Sequence, residues 1–306
     1  MVDCRDLTDA QWALIEPLMP STKGKRSRPF RDHRPLVDGI IYRFRTGCPW
    51  RDVPERYGPW RAVWRRHSQL SSRGVWDQIL MRLLAQADAA GEVHWRVSVD
   101  STTARVHQHA ATLSRGVALI LPSHTGGRVE LQDPPSEPVD HAIGRSRGGL
   151  TTKLHALVDG RGRPLVVHAG PGHANDSPML PVLLTALEIP RVGPGRARTR
   201  PEALLGDKAY SSRGHRTLLR RRGIKAVIPE PSDQIGHRIR KGSRGGRPVS
   251  YDRDLYKHRN VIERGFNAFK QWRGLASRYD KLAVNYRGGA VLRAILIWTN
   301  DLCVTP

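Results

Sequence analysis

Tyr256–Lys270 reads YKHRNVIERGFNAFK, preceded by Ser250 and Asp252 as potential N-caps and followed by no proline until the last residue of the chain. The pattern predicts a helix over about 252–272. Advancing about 100° per residue places Tyr256, Arg259, Glu263 and Lys270 within roughly 60° of one another. Leu255, Ile262, Phe266 and Phe269 form an apolar stripe about 80° away, which requires a core to bury it. One carboxylate, flanked by a phenol, a guanidinium and an ammonium, therefore lies at the margin of that core.

Taken alone, such a helix is equally an amphipathic element with charge pairs four residues apart on its wet face. Two aspartates elsewhere argue for chemistry. Asp100 ends the apolar run Trp95–Val99, and Asp207 follows Ala203–Gly206. A helix-borne glutamate with two strand-end aspartates supplies the hard oxygen donors that a pair of Mg²⁺ ions needs.

The 306 residues suffice for two domains. Lys and Arg outnumber Asp and Glu 51 to 28, a formal charge of +23 that points to a polyanionic partner. No apolar run is long enough to span a membrane, and no signal segment opens the chain. Cys4, Cys48 and Cys303 lack metal-ligand spacing and read as free thiols of a reducing compartment.

Residues 1–90 read as short helices joined by tight turns. Thr8-Asp9-Ala10-Gln11 has the form of a capping box, Pro35 suits a first helical turn and Gly47 a stop. Trp12, Trp50, Trp60, Trp64 and Trp76 are available as a compact core. This pattern suggests a helix-turn-helix-type DNA-binding domain, with Arg61, Arg65 and Arg66 on the helix that enters the groove. A plain helical bundle with a solvated basic face is the alternative.

From residue 95 the hydrophobic period changes. RVSVD up to Asp100, Thr151–Asp159 and Leu165–Ala169 read as three antiparallel strands, followed by a helix at 179–187. A strand at 201–206 delivers Asp207, and then come a helix at 212–222, a strand at 224–228, the Tyr256 helix and a final helix at 284–299. That order is the α/β, ribonuclease H-like (retroviral-integrase-like) fold with a mixed five-stranded sheet. The catalytic domain so read spans 95–306, with loops near 111–149 and 230–248 whose Arg/Gly-rich ends either follow a phosphate backbone or are solvated and mobile. His107 and His109 are poor Mg²⁺ ligands. Asp176 reads as a turn or cap residue, and Ser101 lacks a general-base partner for covalent chemistry.

The residues also carry a family likeness. Tyr256-x2-Arg259-x3-Glu263-x6-Lys270 resembles the signature of DDE transposases of the insertion sequence four and five group. VDST at Asp100, GDKAY at Asp207, IGRSRGGLTTK at 143–153 and QWRGLASRYDKLA at 271–283 are similar to segments of the insertion sequence five family. The resemblance implies that Asp100, Asp207 and Glu263 are catalytic and hold two Mg²⁺, for which Mn²⁺ can substitute. It implies phosphate contacts from Arg259 and Lys270, stacking or hydrogen bonding from Tyr256, and further DNA contacts from Arg145, Arg147, Lys153 and Lys208. The implied partners are double-stranded element ends and target DNA, bound by a homodimer at the nucleoid, in the bacterial cytoplasm. The implied reaction is hydrolysis of a strand at the element's end and attack of the freed 3′-OH on target DNA. A non-catalytic DNA-binding protein and a nuclease that cuts without joining are the competing readings.

Overall fold

The computed structural model describes residues 6–20, 32–112, 119–122, 128–131 and 137–304. Thr8 opens α1 (Asp9–Ile15) with the expected capping box, its hydroxyl accepting from the Gln11 N–H at 3.2 Å while the Gln11 side chain accepts from the Thr8 N–H at 2.9 Å. Helix α2 (Arg34–Thr46) starts with Pro35 in its first turn and stops at Gly47, whose φ of 71° suits glycine. Helices α3 (Trp60–Ser72) and α4 (Val75–Ala89) complete the N-terminal group. Of the five expected core tryptophans only Trp12 and Trp76 are buried; Trp50, Trp60 and Trp64 are half-buried. Trp60 lies beneath the Arg51 and Arg61 guanidinium groups and Trp50 beneath Arg43. Aliphatic residues such as Val37, Ile40, Ile79 and Leu83 fill the interior instead.

The sheet begins with β1 (Arg96–Val106), after which come α5 (Gln108–Ala111), β2 (Leu119–Pro122), β3 (Arg128–Leu131) and β4 (Gly144–Ser146). Strands β5 (Gly149–Val158) and β6 (Pro164–Pro171) precede α6 (Met179–Ala186), β7 (Ala203–Leu205), α7 (Arg213–Arg221) and β8 (Lys225–Val227). The chain ends with α8 (Ser232–Arg240), α9 (Arg253–Lys257), α10 (Val261–Lys270), α11 (Arg273–Ala276), β9 (Ser277–Arg278) and α12 (Ala283–Val304). Strand β1 runs antiparallel to β5 and parallel to β7, β5 antiparallel to β6, and β7 parallel to β8. The resulting order β6-β5-β1-β7-β8 is the expected ribonuclease H-like mixed sheet. Two short additions raise the strand count to seven: β4 continues the outer edge of β5, and β9 pairs with the far end of β1.

Three expectations change. Strand β1 does not end at Asp100 but continues to Val106, because the Thr-rich stretch after Asp100 pairs with β5 through Arg105↔Thr151. The helix expected over 252–272 is divided by a 3₁₀ turn at His258–Asn260. Its apolar residues serve separate clusters: Leu255 packs near Ala203, Leu205 and Val227, whereas Ile262 and Phe266 pack on Ala156 and Val158. One straight helix axis does not serve both. The segments read as loops also contain regular structure, β2, β3 and β4 in 111–149 and α8 in 230–248. Helix α8 buries none of its residues, leaving even Ile235 and Ile239 exposed; Gln234 holds it by donating to the Ser211 carbonyl at 2.7 Å. The remainder of the first segment, at 113–118, 123–127 and 132–136, lies outside the described residues, as does most of the basic stretch after Pro20.

Helix α12 joins the helical N-terminal region to the sheet, packing on α3, α4 and β6. A Cβ on Gly289 would stand 2.2 Å from the Phe44 ring, so glycine is needed for this approach. Just before α12, Asp280 forms an ion pair with Arg43 of α2 at 2.7 Å, with side chains 4% and 2% exposed. The Glu137 carboxylate accepts from the N–H groups of Ala283 and Val284 at 2.7 and 2.8 Å, satisfying donors at the helix start. Removing one member of a buried pair leaves the other charge uncompensated. Arg43→Met is therefore expected to lower unfolding free energy by about 3–5 kcal/mol in urea titrations. Asp280→Asn in the same chain should recover part of that loss.

Candidate active site

The site is built at a gap in the sheet. On one edge of β1, β7 pairs with Arg96–Ser98 and β9 with Arg105–Val106, leaving the stretch between without a strand partner on that side. Asp100 lies in this gap, where its Oδ1 accepts from the Ser101 N–H at 2.8 Å. Strand β7 ends at Leu205, and Asp207 caps the 3₁₀ turn Lys208–Tyr210 by accepting from the Ala209 N–H at 2.9 Å. The 3₁₀ turn before α10 carries Arg259, whose Nη2 contacts Asp100 Oδ2 while Nη1 lies 2.9 Å from Glu263 Oε1. A single guanidinium thus bridges the first aspartate and the glutamate.

Asp100 is the most electrostatically burdened of the three acids. Burial is the largest effect and raises its pKa, and the charges of Asp207 and Asp176 act in the same direction. The Ser101 N–H and Arg259 offset part of the shift. Glu263 is 61% exposed on its side chain, against 19% for Asp100, so Arg259 joins a sheltered carboxylate to a solvated one. Among the described residues, no three His, Cys, Asp or Glu side chains are gathered closely enough to hold a metal ion. Two of the acids, Asp100 and Glu263, meet at the Arg259 guanidinium instead.

Tyr256 is half-buried, with its ring edge-on to Tyr251 at 5.6 Å and its phenol pKa raised by burial. Lys270 is exposed at the last turn of α10, and Arg145, Arg147 and Lys208 are exposed as well. Arg61 and Arg65 project from α3 into solvent, but Arg66 is buried. The α3 periodicity turns Arg66 inward with Val63 and Leu70, so it is not a groove-facing residue. Lys153, expected at the DNA, is instead engaged within the fold, its ammonium donating to Asp176 at 2.9 Å and to the Ala174 carbonyl at 2.8 Å.

Asp176, read from sequence as a turn or cap residue, has partners on two strands. It ends the loop before α6, accepts from Ser101 Oγ at 2.8 Å and lies 3.7 Å from His155 Nδ1. His155 is fully buried, and that burial lowers its pKa to about 4, leaving the ring neutral at physiological pH. Buried Tyr210 feels the charges of Asp100, Asp176 and Asp207, and its pKa is raised chiefly by burial. The only local signal for Asp176 was its place just before Ser177-Pro178, which equally marks a turn.

Residues 7–80 match the family described as "Putative transposase of IS4/5 family", and residues 91–297 match the family "Transposase DDE domain". The chain is similar to the uncharacterized protein y4sN of Sinorhizobium fredii, with 42% identity over 115 residues, 37% of this chain and 87% of that protein. It is also similar to a Brucella ovis protein named "Putative transposase for insertion sequence element IS6501", with 31% identity over 149 residues, 49% of this chain and 98% of that one. A solved structure titled "Crystal structure of a pre-cleavage Mos1 transpososome" aligns with 84% of this chain and 81% of that chain at 13% identity; its TM-score of 0.26 is too low to carry an argument.

The raised pKa of Asp100 has a definite sign in stability. The folded state holds the proton more tightly than the unfolded state, so the carboxyl's contribution to stability declines as pH rises from the ordinary aspartate value through the folded one. Asp100→Asn is expected to melt above wild type in chelator at about pH 7.5, with the gain vanishing below about pH 4 where both states bind the proton. Thermal melts at both pH values measure this difference.

Proposed function

The chain belongs to the DDE transposase family, and from that premise we propose that it binds the terminal inverted repeats of an insertion sequence and catalyses metal-dependent strand cleavage and strand transfer. The observation that carries this reading is the Arg259 guanidinium between Asp100 and Glu263, a cation already standing among the acids. Hard carboxylate donors and a burial-raised aspartate fit a divalent ion by their chemistry, which would offset the same repulsion. Asp100, Asp207 and Glu263, not gathered closely enough as they stand, would draw together to hold Mg²⁺, or Mn²⁺ in its place. Bound there, the metal pair supplies Lewis acidity and charge neutralisation at phosphorus.

The chain's own cations then orient the DNA. Released from Asp100 and Glu263 as the metal takes them up, Arg259 would grip phosphate oxygens beside the scissile bond with its planar fork, Lys270 adds a point charge at the end of α10, and Tyr256 stacks or hydrogen-bonds beside them. Arg145, Arg147 and Lys208 follow the backbone, while exposed Arg61 and Arg65 on α3 read the element's end. The acting unit is a homodimer that pairs two ends on DNA in the bacterial cytoplasm, at the nucleoid. Residues 1–90 form the DNA-binding part and 95–306 the catalytic part.

Asp207→Asn is expected to bind end DNA nearly as wild type does, yet lose cleavage by several orders of magnitude, as removal of a metal ligand requires. A strand-transfer assay with end-bearing DNA, Mg²⁺ and supercoiled target tests the reading; joined products support it, and cutting without joining identifies a nuclease. Comparable cleavage by mutant and wild type removes the carboxylate assignment.

Sequence reading by α3 has a separate signature. Arg61→Ala with Arg65→Ala should weaken binding to the terminal repeats more than to random duplex, because a base contact carries about 1–3 kcal/mol of discrimination. Gel-shift titrations at one fixed salt compare the two DNAs. Equal losses would make both arginines phosphate contacts.

A further inference from the structure

We propose that Asp176 is a positioning residue for Asp100, acting through Ser101. Ser101 makes two hydrogen bonds in different directions. Its backbone N–H donates to Asp100 Oδ1 at 2.8 Å, and its hydroxyl donates to Asp176 Oδ1 at 2.8 Å. The residue lies on β1 where neither β7 nor β9 pairs, so β5 alone holds the strand there and the opposite edge has no strand partner to fix an N–H direction. The Asp176 carboxylate adds a second constraint, from outside the sheet, to the one that β5 provides. It draws the Ser101 hydroxyl to one side and thereby sets the peptide that orients the first carboxylate.

Asp176 is itself held firmly. The same Oδ1 accepts from the Lys153 ammonium at 2.9 Å, and that ammonium also donates to the Ala174 carbonyl at 2.8 Å, tying the β5 side chain to the loop that carries the acid. Asp176 is 24% and Lys153 17% exposed, so solvent screens the pair less than it would on the open surface. Register confirms the placement: Ser101 faces His155 across β1 and β5, and Lys153 lies two residues along on the same face of β5. The route runs from Lys153 through Asp176 and Ser101 to Asp100. None of its first three members touches the reacting atoms.

This inference rests on the reading that Asp100 holds a divalent cation, and the test separates the two. Mn²⁺ binding to the full chain without DNA is measured by titration calorimetry for wild type, Asp100→Asn, Ser101→Ala, Ser101→Thr and Asp176→Ala, with thermal melts for each. Removing an outer hydrogen-bond partner of a metal ligand is expected to cost about 10-fold in affinity, so Ser101→Ala and Asp176→Ala should each bind Mn²⁺ about 10-fold more weakly. Ser101→Thr retains the hydroxyl and should recover wild-type affinity, which a purely structural role of the site would not require. The Ser101→Ala, Asp176→Ala double variant should lose less than the product of the single losses, since both cut one route. Should Asp176→Ala fail to fold, the Ser101→Ala and Ser101→Thr pair still decides. Wild-type affinity in Ser101→Ala, or a loss that Ser101→Thr does not restore, overturns the positioning role alone. A wild type that binds no Mn²⁺, or an Asp100→Asn variant that binds as wild type does, overturns the metal reading and this inference with it.

Discussion

A carboxylate in a gap of the sheet is the constraint on which the site depends. Asp100 sits where β1 lacks a partner on one edge, partly withdrawn from water and within the influence of two further aspartates. Such a group requires donors and a positive charge, or it takes up a proton. The Ser101 N–H supplies a donor, and Arg259 supplies the charge from a 3₁₀ turn that interrupts the expected helix. The break in that helix and the ion pair belong together. A straight helix would have to choose between packing Leu255 near β7 and β8 and packing Ile262 and Phe266 on β5.

The scaffold around this gap is held by a different type of interaction. Helix α12 is the longest helix among the described residues, and its approach to α2 and α3 is close enough that Gly288 and Gly289 leave no room for a Cβ beside Ser71 and Phe44. Its start is fixed by Glu137 at two backbone N–H groups and by the nearby Arg43–Asp280 pair. Fully buried Arg278 donates to Thr152 Oγ1 at 2.7 Å and to the Asp280 carbonyl at 2.8 Å, linking the same corner to β5. These polar contacts are directional and fix the angle at which the helical region meets the sheet; apolar packing alone tolerates many angles. The N-terminal helices and the sheet consequently share one continuous apolar core.

Charge is distributed by function. Exposed Arg61, Arg65, Arg145, Arg147, Lys208 and Lys270 present cations to solvent, in keeping with the +23 formal charge of the chain. Arg43, Arg66 and Arg278 are buried, and Lys153 is tied to Asp176. A basic residue in this sequence is therefore not automatically a DNA contact. Arg278 serves the interior because its fork satisfies several acceptors at once.

The sequence by itself determined the order of the five main strands and the longer helices between them, the strands that carry or precede Asp100 and Asp207, and the amphipathic stretch bearing Glu263. Those features are local: a period of two or 3.6, a cap at Thr8, a stop at Gly47 and a turn after a short apolar strand. The family likeness suggested a role for the three acids, because the spacing Tyr256, Arg259, Glu263, Lys270 is legible in one chain without any knowledge of its fold. Only tertiary structure decided that Arg259 bridges Asp100 and Glu263, that Arg66 turns inward, and that Asp176 meets Ser101 and Lys153. Asp176 and Ser101 are 75 positions apart, and Arg259 and Asp100 are 159 apart. No periodicity reports such pairs. They exist because the sheet brings β1 beside β5, and because burial makes each charge seek whichever partner the fold has placed within reach.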